Sequence, residues 1–174
     1  MSYICTAYKI DSMQQLLQDV IVLVKETGEF IRQESQKFDH SKIEYKGKND
    51  LVSYVDKEAE KRLVIGLSEI LPGSGFIAEE GTSTHKSDTY NWIIDPLDGT
   101  FNFTRGFPAC CVAIGLWAEE QPILGVIYDF VSDNMYLGVV GEGASCNNEP
   151  MTVSTTKSQA SASIATGFPS ARDY

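Results

Sequence analysis

Apolar residues near the start of the chain recur at helical spacing: Met13, Leu16, Leu17, Val20, Val24 and Ile31. Positions three and four apart share one side of an α-helix, so this stripe predicts a helix from residue 12 to about 37, with Asp11 or Ser12 as its cap. A second stripe, Val55, Ala59, Leu63, Leu67 and Ile70, predicts a helix from near Asp56 to before Pro72. Leu71-Pro72-Gly73-Ser74-Gly75 then stops it. Between the helices, residues 42–45 read as a short extended segment and the polar residues 46–50 as a loop.

The pattern changes after Gly75. Phe76-Ile77-Ala78 reads as a short buried strand ending in Glu79-Glu80-Gly81, and residues 82–88 as a polar loop. A strand over 91–94 follows. Apolar runs then recur over 110–117, 122–130, 135–140 and 151–153, separated by Glu119-Glu120-Gln121, Ser132-Asp133-Asn134 and Asn147-Asn148-Glu149. Strands at this spacing with turn residues between them suggest an antiparallel meander. Gly141-Glu142-Gly143-Ala144 has turn chemistry and no helix after it, which argues against a phosphate loop. The fold class expected is α+β: two N-terminal helices packed on a largely antiparallel sheet. Residues 1–174 read as a single domain without repeats, low-complexity tracts or a linker.

Composition narrows the class. The chain of 174 residues is long enough to bury a sizeable core, and 43% of it is hydrophobic. Its net charge of -10 argues against nucleic acid, which needs a basic face. An anionic substrate would require a metal or local donors to reverse the sign in its pocket. Cys110 and Cys111 are neighbours that would point to opposite faces of a strand, so they should not bridge each other. With no CxxC and only His40 and His85, a zinc site is not expected. Cys5, Cys110, Cys111 and Cys146 read as reduced packing thiols of a cytoplasmic protein. No apolar run approaches the ~20 residues of a membrane span, and the first residues lack the order of a secretory signal.

Candidate chemistry concentrates in Asp95-Pro96-Leu97-Asp98-Gly99-Thr100, which follows the apolar Trp92-Ile93-Ile94. Asp, Pro and Gly are also ordinary turn residues, so the hexamer alone allows a solvated turn. Two carboxylates this close cannot both stay ionised cheaply in a dry site. A hard divalent cation such as Mg2+, which takes oxygen ligands, would relieve them. Glu79 and Glu80 end one strand, Asp95 and Asp98 another, and Asp56 sits where the second helix begins. If the two strands are neighbours, these acids converge.

Ile77-Ala78-Glu79-Glu80, the stretch from Trp92 through Asp95-Pro96-Leu97-Asp98-Gly99-Thr100 to Phe101-Asn102-Phe103, and Gly106-Phe107-Pro108 together resemble the signature of the inositol monophosphatase family. Asn49-Asp50-Leu51-Val52-Ser53 with Asp56 resembles its N-terminal motif, and Thr166-Gly167-Phe168-Pro169 a later landmark. The resemblance implies the N-terminal part of a layered α/β sugar-phosphatase-like fold. It also implies Mg2+-dependent, lithium-sensitive hydrolysis of small phosphate monoesters, most characteristically inositol monophosphate, with two or three ions. By that resemblance Glu79, Asp95, Asp98 and the Leu97 carbonyl would hold metal, and Thr100 and Asp56 would orient the attacking water. Glu79 could also accept a water proton. Gly99 would let the backbone approach the phosphate, and a helix starting near Thr100 would aim its N–H groups there, beside Asp98. Phe101, Asn102 and Phe103 are expected to hold the turn rather than touch substrate. Glu80 is expected at the solvent, Asp50 in a structural role, and Lys46 and Lys48 as solvated loop lysines.

The expected partner is a small phosphorylated polyol or sugar, with no nucleic acid and no membrane. The family often forms homodimers. Its further metal-binding Asp in a Trp-Asp motif has no counterpart at Trp92 or Trp117. This chain is therefore expected to lack a C-terminal part and to be poorly active alone. Runner-up readings are fructose-1,6-bisphosphatase or histidinol-phosphatase within the family and, from another class, a non-catalytic regulatory or binding protein on the same scaffold.

Overall fold

The computed structural model describes residues 10–38, 43–47, 50–119 and 121–165, with the backbone alone at 10–12, 43–47 and 50–52. Helix α1 (Ile10–Ser35) and helix α2 (Tyr54–Ile70) match the two stripes. A hairpin of β1 (Ile43–Gly47) and β2 (Asp50–Ser53) joins them. Residues 46 and 50 therefore belong to strands rather than to a loop. Lys48, Asn49, His40, Cys5 and residues 166–169 lie outside the described residues, as do the side chains of Lys46 and Asp50.

Seven further strands form one sheet in sequence order: β3 (Gly75–Ala78), β4 (Tyr90–Asp98), β5 (Cys111–Ala118), β6 (Gln121–Asp129), β7 (Asn134–Val139), β8 (Gly143–Cys146) and β9 (Glu149–Met151). The pair β3–β4 is parallel and every later pair is antiparallel. A short helix α3 (Thr100–Arg105) separates β4 from β5. The α+β expectation holds. Three further expectations need correction. Strand β8 occupies 143–146, where only a turn was expected, and β9 lies at 149–151 rather than 151–153. Strand β4 also runs on to Asp98 instead of releasing a loop after Ile94.

Both long helices lie on one face of this sheet, against β4, β5 and β6. Alternation delivers Trp92, Ile94, Val112, Ile114, Leu116, Leu124 and Val126 to that face, all buried. They meet Leu16, Val20, Val24 and Ile31 of α1 and Val55, Ala59, Leu63 and Leu67 of α2. Gly28 marks where α1 presses closest: a Cβ there would lie 2.7 Å from the Tyr128 ring. The opposite face carries Ile77, Trp117 and Ile127, each exposed.

Candidate metal and phosphate site

The acids meet at the C-terminal ends of β3 and β4. Parallel register pairs Ala78 with Ile94, and the Glu79 N–H donates to the Ile94 carbonyl at 3.2 Å. Glu79 thus leaves β3 level with Asp95. On β4 the register against β5 slips: Asp95 faces Ala113 and Asp98 faces Cys111. Three steps on one strand match two on the other, which is a β-bulge. In a regular strand residues three apart point to opposite faces. The extra residue cancels that, so Asp95 and Asp98 come to the same face of the sheet. Pro96, with no N–H to lose, is suited to such an irregularity. The Leu97 N–H turns back to Asp95 Oδ1 at 3.2 Å.

Asp95 is partly buried, and its carboxyl is pushed up to about 7. Burial is the main cause, followed by the charge of Glu79, a hydrogen bond with the Glu79 carboxyl, and the charge of Asp98. Asp98 lies at the exposed rim, with the Cys111 thiol 3.8 Å from its Oδ2. Among the described residues, no three His, Cys, Asp or Glu groups stand already gathered as a metal cage. The Asp95 and Glu79 carboxyls are within hydrogen-bonding reach, and the Asp98 charge also acts on Asp95. This donor set suits a hard cation: every candidate ligand is an oxygen, and a cation would replace the Asp95 proton.

Behind this trio, Asp56 is 1% exposed. Ser53 caps α2 and Asp56 is its third residue, closing a capping box. The Ser53 N–H and hydroxyl donate to Asp56 Oδ2 at 2.9 and 2.5 Å. The Thr100 hydroxyl donates to Asp56 Oδ1 at 2.7 Å and lies 3.1 Å from the Leu97 carbonyl. With its proton committed to a buried carboxylate, Thr100 Oγ1 keeps its lone pairs for a donor arriving from the site.

Gly99 caps α3 with φ 92°, a left-handed conformation in which a Cβ would also stand 2.6 Å from the Ala109 carbonyl. Asn102 donates to that same carbonyl at 2.7 Å, as expected of a residue that holds the turn. Phe103 is buried and packs edge-on to Phe38, whereas Phe101 is exposed under Arg105. The helix has only six residues, so its dipole is a minor contributor to anion binding.

Glu80 is half-buried rather than solvent-facing, and its N–H donates to Glu60 at 2.6 Å. Glu60 escaped the sequence reading. It is 0% exposed and also accepts from the Thr82 N–H at 2.7 Å. The signal that could have found it is its place four residues after Asp56, beside the buried Ala59 and Leu63. His85 is exposed, and its carbonyl accepts from the Phe76 N–H at 2.6 Å.

A family profile described as the inositol monophosphatase family matches residues 12–173. The chain belongs to the inositol monophosphatase family. Inositol monophosphatase 3 of Solanum lycopersicum is 39% identical over 166 residues, covering 93% of this chain and 61% of that protein. The fructose-1,6-bisphosphatase/inositol-1-monophosphatase of Aquifex aeolicus is 34% identical over 161 residues, covering 92% and 61%. The crystal structure of extragenic suppressor protein suhB from Bartonella henselae superimposes with a TM-score of 0.77 at 29% identity, over 82% of this chain and 55% of that one. The chain thus spans about 60% of the length of the curated relatives it matches. Its layered α+β fold is that of the family's solved members.

Proposed function

We propose that this chain carries the metal-binding half of a Mg2+-dependent phosphatase that hydrolyses a small phosphate monoester, with inositol monophosphate as the leading substrate. The observation that carries this reading is the bulge in β4, which sets Asp95 and Asp98 on one face beside Glu79. Glu79, Asp95, Asp98 and the Leu97 carbonyl would hold two or three Mg2+ ions. When bound, such ions neutralise the phosphate and lower the pKa of a water.

The chain's own residues do the rest. Asp56, locked by Ser53, keeps the Thr100 proton turned inward, so Thr100 Oγ1 accepts a hydrogen bond from the attacking water and orients it. Glu79, at the mouth of the site, takes the second role of proton acceptor. The left-handed turn at Gly99 would bring the first N–H groups of α3 beside Asp98, where phosphate oxygens could meet them. Lithium sensitivity and a homodimeric assembly go with this reading through family membership. A cytoplasmic location suits the free thiols of Cys110, Cys111 and Cys146. Among the described residues no helix is long and apolar enough to cross a membrane.

Isothermal titration of Mg2+ into the wild-type chain and into Asp95→Asn, alongside phosphate release from inositol 1-phosphate, tests the proposal. The expected result is Mg2+ binding that the substitution weakens by about 10-fold or more, the scale set by losing a charge-assisted ligand. Equal titration curves for the two proteins would overturn it in favour of a non-catalytic scaffold. Fructose 1,6-bisphosphate and histidinol phosphate serve as competing substrates in the same assay.

A further inference from the structure

Helix α2 holds the exits of both site strands, through two buried acids one turn apart. Asp56 is tied to Thr100 beyond β4, and Glu60 to the segment beyond β3. A fully buried carboxylate is costly unless donors satisfy it. Glu60 is satisfied by two backbone N–H groups, those of Glu80 at 2.6 Å and Thr82 at 2.7 Å. They lie one and three residues after Glu79, in a turn that Gly81 carries through at φ 71°. The Gly81 N–H also donates to the Ala78 carbonyl, at 3.3 Å. Fixing the amides on either side of Gly81 removes the freedom by which Glu79 could swing away from Asp95.

We propose that Glu60 is a positioning residue for metal binding: its buried carboxylate clamps the Glu80 and Thr82 amides and so aims Glu79 at Asp95. This rests on the metal reading above. Outer groups that orient metal ligands typically matter about 10–100-fold in affinity. Glutamine is the informative replacement, because it keeps the size but turns one acceptor into a donor facing an N–H.

The test uses the whole chain as wild type, Glu60→Gln and Leu63→Val, the last a buried change on the same helix that touches packing alone. Two readouts are taken: hydrogen exchange at the Glu80 and Thr82 amides without metal, and the Mg2+ dissociation constant by calorimetry. Glu60→Gln should speed exchange at both amides by at least about tenfold, the equivalent of one charge-assisted hydrogen bond. It should raise the Mg2+ constant about 10–100-fold, while Leu63→Val moves neither selectively. Unchanged exchange, or a Mg2+ constant no different from that of Leu63→Val, would overturn the inference alone. A wild-type chain that takes up no Mg2+ would overturn the metal reading, and this inference with it.

Discussion

Burial and the charges of Glu79 and Asp98 push Asp95 up to about 7 from its ordinary 3.8. The folded chain therefore holds a proton that the unfolded chain gives up. Below about pH 3.8 both states are protonated and the fold has the full benefit. As pH rises through about 7 that benefit is lost. Metal-free protein should thus lose stability across this window, and Asp95→Asn, which never ionises, should flatten the loss. Thermal melts in EDTA at a series of pH values check this. Above about pH 7 the variant is expected to melt no lower than wild type, the pattern of a residue kept for function at the expense of stability. A variant that melts lower at every pH would show that Asp95 is structural. Glu60 poses the opposite problem at the same scale. Its type argues for the surface, since glutamates are almost never fully buried unless paired. Its partners are backbone amides 20 and 22 positions away, which side-chain patterns do not reveal.

At the scale of elements, what could be read followed periodicity. Helices α1 and α2 and strands β4 to β7 each carry one apolar side, and their existence was legible from that side alone. Strand β8, Gly-Ala-Ser-Cys, has too little β-branched or apolar character to announce itself. The bulge was hidden for another reason: Asp, Pro and Gly have turn chemistry, while the register slip depends on what β5 presents opposite them. The helix-on-sheet contact at Gly28 is likewise tertiary. Replacing Gly28 by Ala inside a helix would gain up to about 1 kcal/mol from propensity alone. Here the new methyl would meet Cδ1 and Cε1 of Tyr128 at 2.7 Å and Cβ of Phe130 at 3.0 Å. The Tyr128 hydroxyl is anchored to Asp133 at 2.7 Å, so the ring cannot yield freely. Overpacking costs about 1–3 kcal/mol and should win. Urea denaturation of Gly28→Ala should show a net loss of about 1–2 kcal/mol; a gain would mean that α1 does not seat on β6 as described.

At the scale of the whole molecule, one face of the seven-stranded sheet is core and the other is surface, and the two tryptophans report on one each. Trp92 is 0% exposed beneath α1 and α2, and Trp117 is 36% exposed on the far side. Rows of glycine, Gly115 against Gly125 and Gly125 against Gly138, leave that far side shallow beside Trp117. Acrylamide reaches an indole only where solvent does. Wild-type fluorescence should therefore divide into a quenchable and a protected fraction. Trp117→Phe should remove the quenchable fraction and leave the unfolding midpoint nearly unchanged, because phenylalanine keeps an aromatic ring at this partly exposed position. The protected remainder, from Trp92, should become quenchable only when urea releases the helices from the sheet. If instead Trp117 proves protected in the native wild-type chain, the far face is covered in solution, and the division of the molecule into one buried and one open sheet face is wrong.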